Sequence, residues 1–269
     1  MAFQSATLAE WTDIHEYARH EWLFRGEHRA RRELKTSLQR SCDRHKVPAP
    51  ERRETEDALF HEFRRAYHQY AARMPSTKAV VEWLSLMQHH GAPTRLLDFS
   101  YSLYIAAYFA VEAREGDCAV WAVRAPWALQ ATADLLRSAG KPNVDRMLKR
   151  FVEGDEEVVQ ALFFEEPYVR AAWPINAFRL NERLRIQQGA FLIPGDVSEA
   201  FATNLQALAG HDLRENVIEI VIPESERPQG VRNLFEMGIS RTGLFPGLDG
   251  FARSLDVYHP VVHNPIGWA

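Results

Sequence analysis

Residues 103–111, reading LYIAAYFAV, are apolar almost all round. A helix with no polar face cannot lie on the surface of a domain, and this one is too short for a bilayer, which takes about 20 apolar residues. It needs cover on every side. The segment therefore reads as a core helix, started by Ser102 as its N-cap and wrapped by a sheet and further helices. That requirement selects a layered fold in which strands and helices share one core.

The rest of the chain supplies the cover. Strand candidates are the run Trp22-Leu23-Phe24 leading into Arg25-Gly26, Thr94 to Phe99, Cys118 to Val123 after a Gly116-Asp117 turn, Tyr168 to Ala172, Gln188 to Ile193, and the alternating Asn216 to Ile222 bounded by Pro223. Helical spacing appears around Trp11, Ile14 and Tyr17. It recurs from Glu54 to Met74, on Leu59, Phe60, Phe63, Tyr67, Tyr70 and Met74, closed by Pro75. A further helix is expected from an N-cap at Ser76 through Val80, Trp83, Leu84 and Met87 to a stop at Gly91 and Pro93. Two more are expected around Val197 to Leu208 and Glu226 to Met237. Pro126 to Phe164 is mostly helical by pattern, broken at Gly140-Lys141-Pro142-Asn143, and reads as a helical insertion at about 125–165. No linker composition and no internal repeat occurs, so residues 1–269 are expected to form a single α+β domain with that insertion.

Composition narrows the function classes. With 46% hydrophobic residues, a chain of 269 residues can bury a substantial core. A net charge of −4 argues against a protein that simply coats nucleic acid, and the basic stretch from Arg25 to Arg53 reads as a solvated face. Cys42 and Cys118 are far apart and have no second pair, so neither a disulfide framework nor a zinc knuckle is indicated. A reducing compartment follows. With no signal-peptide pattern and no long apolar run, a cytoplasmic protein that avoids the membrane is expected.

Four constellations carry candidate chemistry. In Phe24-Arg25-Gly26, an arginine leaves a strand end beside a residue without a side chain, so a guanidinium can hold an anion where backbone is open to close approach. The competing reading is a structural ion pair to one of the many glutamates. In Gln88-His89-His90-Gly91-Ala92-Pro93-Thr94-Arg95-Leu96-Leu97-Asp98, titratable groups crowd a helix-to-strand junction at the mouth of a cleft. Adjacent histidines on a helix point about 100° apart, unlike the i,i+4 pairs that share an ion, so no metal is expected there. Asp98 reads either as a functional carboxylate or as a partner for Arg95 or a cap for the next helix. The third block, Asn181 to Phe191, leads polar residues into a strand, and the neutral Gln187 can orient a hydroxyl but cannot offset developing positive charge. The fourth, Leu244-Phe245-Pro246-Gly247-Leu248-Asp249-Gly250, reads as a packed turn. Walker loops, Gly-x-Ser-x-Gly elbows and His-Glu-x-x-His helices are absent from the sequence.

Taken together these blocks resemble the FRG family, named for its Phe-Arg-Gly motif. The matching residues are Phe24-Arg25-Gly26, Gln88-His89-His90-Gly91 with Pro93 to Asp98, Ala106-Ala107-Tyr108-Phe109-Ala110, Arg183 with Gln187-x-Gly189-x-Phe191, and Leu244-Phe245-Pro246-x-Leu248-Asp249-Gly250. The chain is more weakly similar to ADP-ribosyltransferases of the Arg-Ser-Glu type. In those an arginine ends the first core strand, a second strand carrying Ser-Thr-Ser precedes a buried helix, and a later strand carries a glutamate. Arg25, the block from Thr94 to Ser100 with its following helix, and Gln187-x-Gly189 fall in that order, with the glutamate missing.

What the resemblance implies is an ADP-ribosyltransferase-like mixed sheet and a transferase that uses NAD as substrate. Arg25, Asp98 and Gln187 would then be catalytic candidates, and Arg25, Gly26, His89, Thr94 and Arg95 would contact the dinucleotide. Arg25 would grip its phosphates, Gly26 would admit the nicotinamide amide, and Asp98 or Glu182 would supply the carboxylate. A toxin or anti-phage effector is the implied setting, with a protein or nucleic-acid acceptor and an antitoxin among its partners. The alternatives are a non-catalytic module that senses a nucleotide and a nucleic-acid-directed enzyme using the basic stretch and His89-His90.

Overall fold

The computed structural model describes residues 3–71, 73–112, 116–152, 155–176, 179 and 182–255. A seven-stranded mixed sheet organises them. Its strands are β1 (Gln4–Thr7), β2 (Trp22–Glu27), β3 (Leu97–Ser100), β4 (Cys118–Arg124), β5 (Ala172–Ile175), β6 (Gly189–Pro194) and β7 (Val217–Ile222). They lie in the order β1-β7-β4-β2-β3-β6-β5. Only β1 and β7 run parallel; every other neighbouring pair is antiparallel.

The sheet is unevenly sewn. β2 pairs with β4 from Trp22 opposite Arg124 to Glu27 opposite Ala119, and β3 pairs with β6 along its whole length. Between β2 and β3 the register holds a single pair, Phe24 opposite Ser100. Beyond it the two strands part, which opens the sheet at Arg25 and Gly26 on one side and Asp98 on the other.

The helices that matter for the opening are α1 (Ser37–Arg44), α2 (Arg52–Tyr67), α3 (Val80–His89), α4 (Leu103–Val111), α5 (Ala125–Ser138) and α6 (Val144–Val152). The apolar helix of the sequence is α4. Ser102 caps it, its hydroxyl accepting from the Ile105 amide at 3.3 Å. Its buried residues pack with Trp22, Phe24, Val120 and Ile220 on one face of the sheet, under Leu234 and Leu244 from later helices. The opposite face buries Leu23, Phe99, Trp121 and Val123 with Leu34, Ala128, Phe201 and Leu205. A third cluster joins α3 to the helices between 125 and 164 and to β5 and β6, through Leu84, Met87, Leu136, Phe163, Trp173 and Phe191.

Local signals explain several boundaries. α3 stops in a Schellman arrangement: the Gly91 amide donates to the Gln88 carbonyl at 3.0 Å and the Ala92 amide to the Met87 carbonyl at 2.8 Å, with Gly91 at φ +84°. Its start departs from expectation. Val80 begins the helix after Ala79, and the Ser76 carbonyl instead accepts from the Trp83 indole N–H at 3.0 Å. α2 ends at Tyr67 rather than at Met74; Tyr70 is 82% exposed, so the apolar period continues past the last residue that has a core to face.

Candidate functional site

Where β2 and β3 part, a cavity of about 200 Å³ is lined by Phe24, Arg25, Gly26, His28, Asp98, Phe99, Ser100, Ala106, Phe109, Arg183 and Gln187. A second, of about 90 Å³, adjoins it through Asp98, Arg183 and Gln187 and extends to Ser85, Gln88, His89 and Phe191. Arg25, Gly26, Asp98 and Gln187 are thus brought to one hollow and His89 to its extension. Residues more than 160 positions apart in the sequence share the wall because β2, β3 and the turn into β6 are neighbours in the sheet.

Arg25 bridges the opening. Its Nε donates to Glu27 Oε1 at 2.7 Å, and its Nη1 donates to the main-chain carbonyl of Asp98 at 2.8 Å. The side chain thereby reaches across to a carbonyl of β3 where strand pairing has stopped. Two of its five N–H donors are so engaged. The pair with Glu27 is the structural reading of Arg25, and the lining of the cavity is compatible with the functional one.

Gly26 has a different reason for being glycine than open approach by a ligand. A Cβ there would overlap the Ala106 carbonyl oxygen and lie 2.6 Å from the Ala110 nitrogen. The missing side chain lets the backbone of α4 seat directly on β2.

The cavity wall is rich in cations. Desolvation, followed by the neighbouring Arg241, lowers the pKa of Arg183, while Asp98 works in the opposite direction. Arg40, which lines neither cavity but interacts with Arg25 and Asp98, is lowered by desolvation and then by Arg25, with Glu27 and Asp98 opposing. Partial desolvation, then His90 and Arg183, lower the pKa of His89, which is exposed at the mouth of the smaller cavity, so its neutral form is favoured. Asp98, exposed at the centre of this group, is a carboxylate that lines both cavities. A site so arranged suits an anionic ligand held by guanidinium groups, with one carboxylate available for proton or charge chemistry.

Gln187 is fixed at both ends. Its side-chain amide donates to the Leu244 carbonyl at 3.1 Å, and its own carbonyl accepts from the Ser100 hydroxyl at 2.8 Å. The next residue, Gln188, takes a left-handed φ of +48°, which turns the chain into β6. The fourth sequence block is the roof of this arrangement. Phe245 lies under the Arg183 guanidinium at 4.6 Å and the Arg241 guanidinium at 4.8 Å, and meets the Phe109 ring edge-on at 5.9 Å. Gly250 permits the fold-back, since a Cβ there would overlap the Phe245 carbonyl.

Two expected ligand contacts lie elsewhere. Thr94 is fully buried, its amide donating to the Ser37 hydroxyl at 2.9 Å and its hydroxyl bonded to Gln88, so that it ties α3 to α1. Arg95 is 1% exposed. Its Nε donates to Glu56 at 2.7 Å, a second bond joins the same carboxylate, and Nη1 donates to the Phe163 carbonyl at 2.9 Å, with Phe164 stacked at 3.8 Å. These donors are spent in the core, so neither residue faces the cavity. Asp98 consequently does not hold Arg95, and Ser102 rather than Asp98 caps α4. Glu182 begins the short helix Glu182–Ile186 but lines neither cavity, and Asn181 lies outside the described residues. Among the described residues no group of three or more His, Cys, Asp or Glu is placed to hold a metal ion.

Two participants escaped the sequence reading. Glu27 is the partner of Arg25, a pairing that strand alternation at i,i+2 would have suggested. Arg40 carries no such signal, because only the tertiary fold brings it near Arg25 and Asp98.

Residues 20–118 match the family model of the FRG domain. Over that span the chain is similar to FRG domains. The matched span contains Phe24-Arg25-Gly26, the block from Gln88 to Asp98 and all of α4; Arg183, Gln187 and the turn from Leu244 to Gly250 lie beyond it, although they complete the walls of the FRG cavity. No curated protein and no solved structure matches the chain. Among the described residues, no helix is long and apolar enough to cross a membrane.

Proposed function

We propose that the FRG cavity binds NAD and that the protein transfers ADP-ribose from it to an acceptor, in the manner of ADP-ribosyltransferases of the Arg-Ser-Glu type. One observation carries the reading: Arg25 near the end of β2, β3 with its buried helix α4, and Gln187 at the entry to β6 converge on the place where the mixed sheet opens. The remaining donors of Arg25 and the Arg183 guanidinium serve the phosphates. In the transfer, the bond between the ribose anomeric carbon and the nicotinamide nitrogen breaks, and its electron pair leaves with nicotinamide. The acceptor atom bonds to that carbon, and its proton passes to a base. Asp98 is the carboxylate in position to stabilise positive charge on the sugar and to receive the proton; Glu182 is set aside because it lines neither cavity.

A second reading has its own support. Gln187 is neutral and its amide is already bonded to Leu244, and Arg25 is already paired with Glu27. Losing a well-placed electrostatic group costs a transition state about 3 kcal/mol, which is about a hundredfold in rate. Nucleotide binding without chemistry is the outcome those features favour.

Calorimetric titration with NAD and assay of nicotinamide release separate the two. On the transferase reading, Arg25→Ala weakens NAD binding at least about tenfold, while Asp98→Asn retains binding and loses about a hundredfold in release. Binding without release by wild type selects the sensor. Absence of NAD binding by wild type ends the transferase reading, and absence of binding to adenine nucleotides as well ends the sensor.

A further inference from the structure

Beside the cavity, and meeting it at Phe24, an open groove of about 420 Å³ runs between the segment from Ala18 to Trp22 and the residues from Tyr101 to Tyr104. Its walls are aromatic. Tyr101 is 50% exposed, yet its hydroxyl is tethered, accepting from the Asn176 amide at 2.7 Å. Tyr104 is anchored through its hydroxyl to His15 Nδ1 at 2.9 Å, and the Arg19 guanidinium stands 5.9 Å from the Trp22 ring. His20 and Gln188 also line it. The carboxylate of the groove, Glu21, is turned to Arg124 at 3.6 Å.

Two wall residues, Glu21 at φ +68° and Gln188 at φ +48°, hold left-handed backbone that side chains rarely adopt. Such conformations concentrate at ligand sites. Here they stand on opposite walls of the same groove. A half-exposed tyrosine with its hydroxyl anchored, and an arginine and a histidine beside it, is the chemistry that stacks an unpaired heteroaromatic ring and steers a phosphate chain.

We infer that this groove receives an unpaired nucleobase of a single-stranded nucleic acid, stacked on Tyr101, with Arg19 and His20 at the strand's phosphates. Base binding stands on the groove alone. Its role as the site of the ADP-ribose acceptor rests on the reading proposed above.

The test is fluorescence anisotropy of short labelled single-stranded RNA and DNA of mixed sequence, beside the duplex of the same sequence, on the full chain. Single strands bind better than duplex. Tyr101→Ala weakens single-strand binding about tenfold to a hundredfold, Tyr101→Phe retains most of it, and Arg19→Ala weakens it and flattens its salt dependence. Tyr101 is exposed, and melting curves of the variants verify that they fold. The inference is overturned if wild type prefers duplex or binds neither, if Tyr101→Ala binds as wild type does, or if an arginine-containing peptide binds the groove and the oligonucleotides do not. NAD titration is run in parallel and is a separate readout: its failure removes the acceptor role and leaves base binding standing.

Discussion

The Arg25 guanidinium donates to the main-chain carbonyl of Asp98 at 2.8 Å, so a side chain of β2 occupies an acceptor on β3 where the two strands have ceased to pair. The same group holds Glu27 through its Nε. Lysine keeps the charge but has a single ammonium in place of a planar fork. Arg25→Lys is expected to lose about 1–2 kcal/mol in urea unfolding and to bind NAD about tenfold more weakly, with Arg25→Ala weaker still. Equal NAD affinity for the lysine variant and wild type would show that charge alone matters there.

Gly26→Ala is expected to be among the most damaging small substitutions in the protein. The added methyl meets backbone of α4 rather than a movable side chain, so the helix must lift from the strand. A loss of about 3 kcal/mol is expected in denaturant unfolding. Wild-type stability for the alanine variant would mean that α4 does not sit against β2 so closely.

Arg95 and Glu56 form a buried pair whose separation leaves one charge alone in the core. Arg95→Met and Glu56→Leu should each cost about 3–5 kcal/mol, and the double replacement should recover a large part of that. NAD binding by whatever fraction remains folded should be unchanged, since the pair does not line either cavity. A loss of binding that exceeds the loss of folded protein would place Arg95 in the site after all.

Phe245 contacts two guanidinium groups and lies beside Phe109. Phe245→Ala frees Arg183 and is expected to cost about 1–2 kcal/mol of stability. Phenylglyoxal modification, followed by mass spectrometry, should proceed faster at Arg183 in the alanine variant and at the wild-type rate in Phe245→Tyr. Identical rates in all three would remove Phe245 as the support of that side chain.

His89 should titrate below the ordinary histidine value of 6.5, because partial desolvation, His90 and Arg183 all disfavour its cation. Its stabilising contribution is complete above 6.5 and is lost as pH falls through the lowered folded value. An anion bound in the adjoining cavity opposes the arginine and should raise the His89 value, as read by NMR titration with and without NAD. No movement on saturation with NAD would separate the histidine from the ligand.

The sequence carried the core helix and most strands plainly, and for physical reasons. Leu103–Val111 has no polar face, and Val217–Ile222 offers an apolar run ended by proline. β1 gave no signal: its QSAT is largely exposed and becomes a strand only by lying along β7. The strand expected at Tyr168–Ala172 lies instead at Ala172–Ile175; Pro174 falls inside it, where β5 is an edge strand paired among the described residues only with β6 and proline is tolerated. At the site, Arg25, Asp98 and Gln187 were legible from the order of the motifs. Thr94 and Arg95 stand in the same dense block, and their burial depends on Ser37 and on Glu56, 39 residues upstream of Arg95, which local sequence cannot reveal.

The single cross-strand pair at Phe24 and Ser100 has a bearing on how the family match should be understood. The segment 20–118 holds β2 and β3 but not their principal partners: β4 begins at its last residue, and β6 follows 71 positions later, at Gly189. Cut out by itself, that segment would possess two ribbons stitched at one point and a greasy helix with half its covering gone. What the family signature marks in this protein is therefore one frontage of a larger building, and excision at its borders should yield an unfolded, aggregating polypeptide.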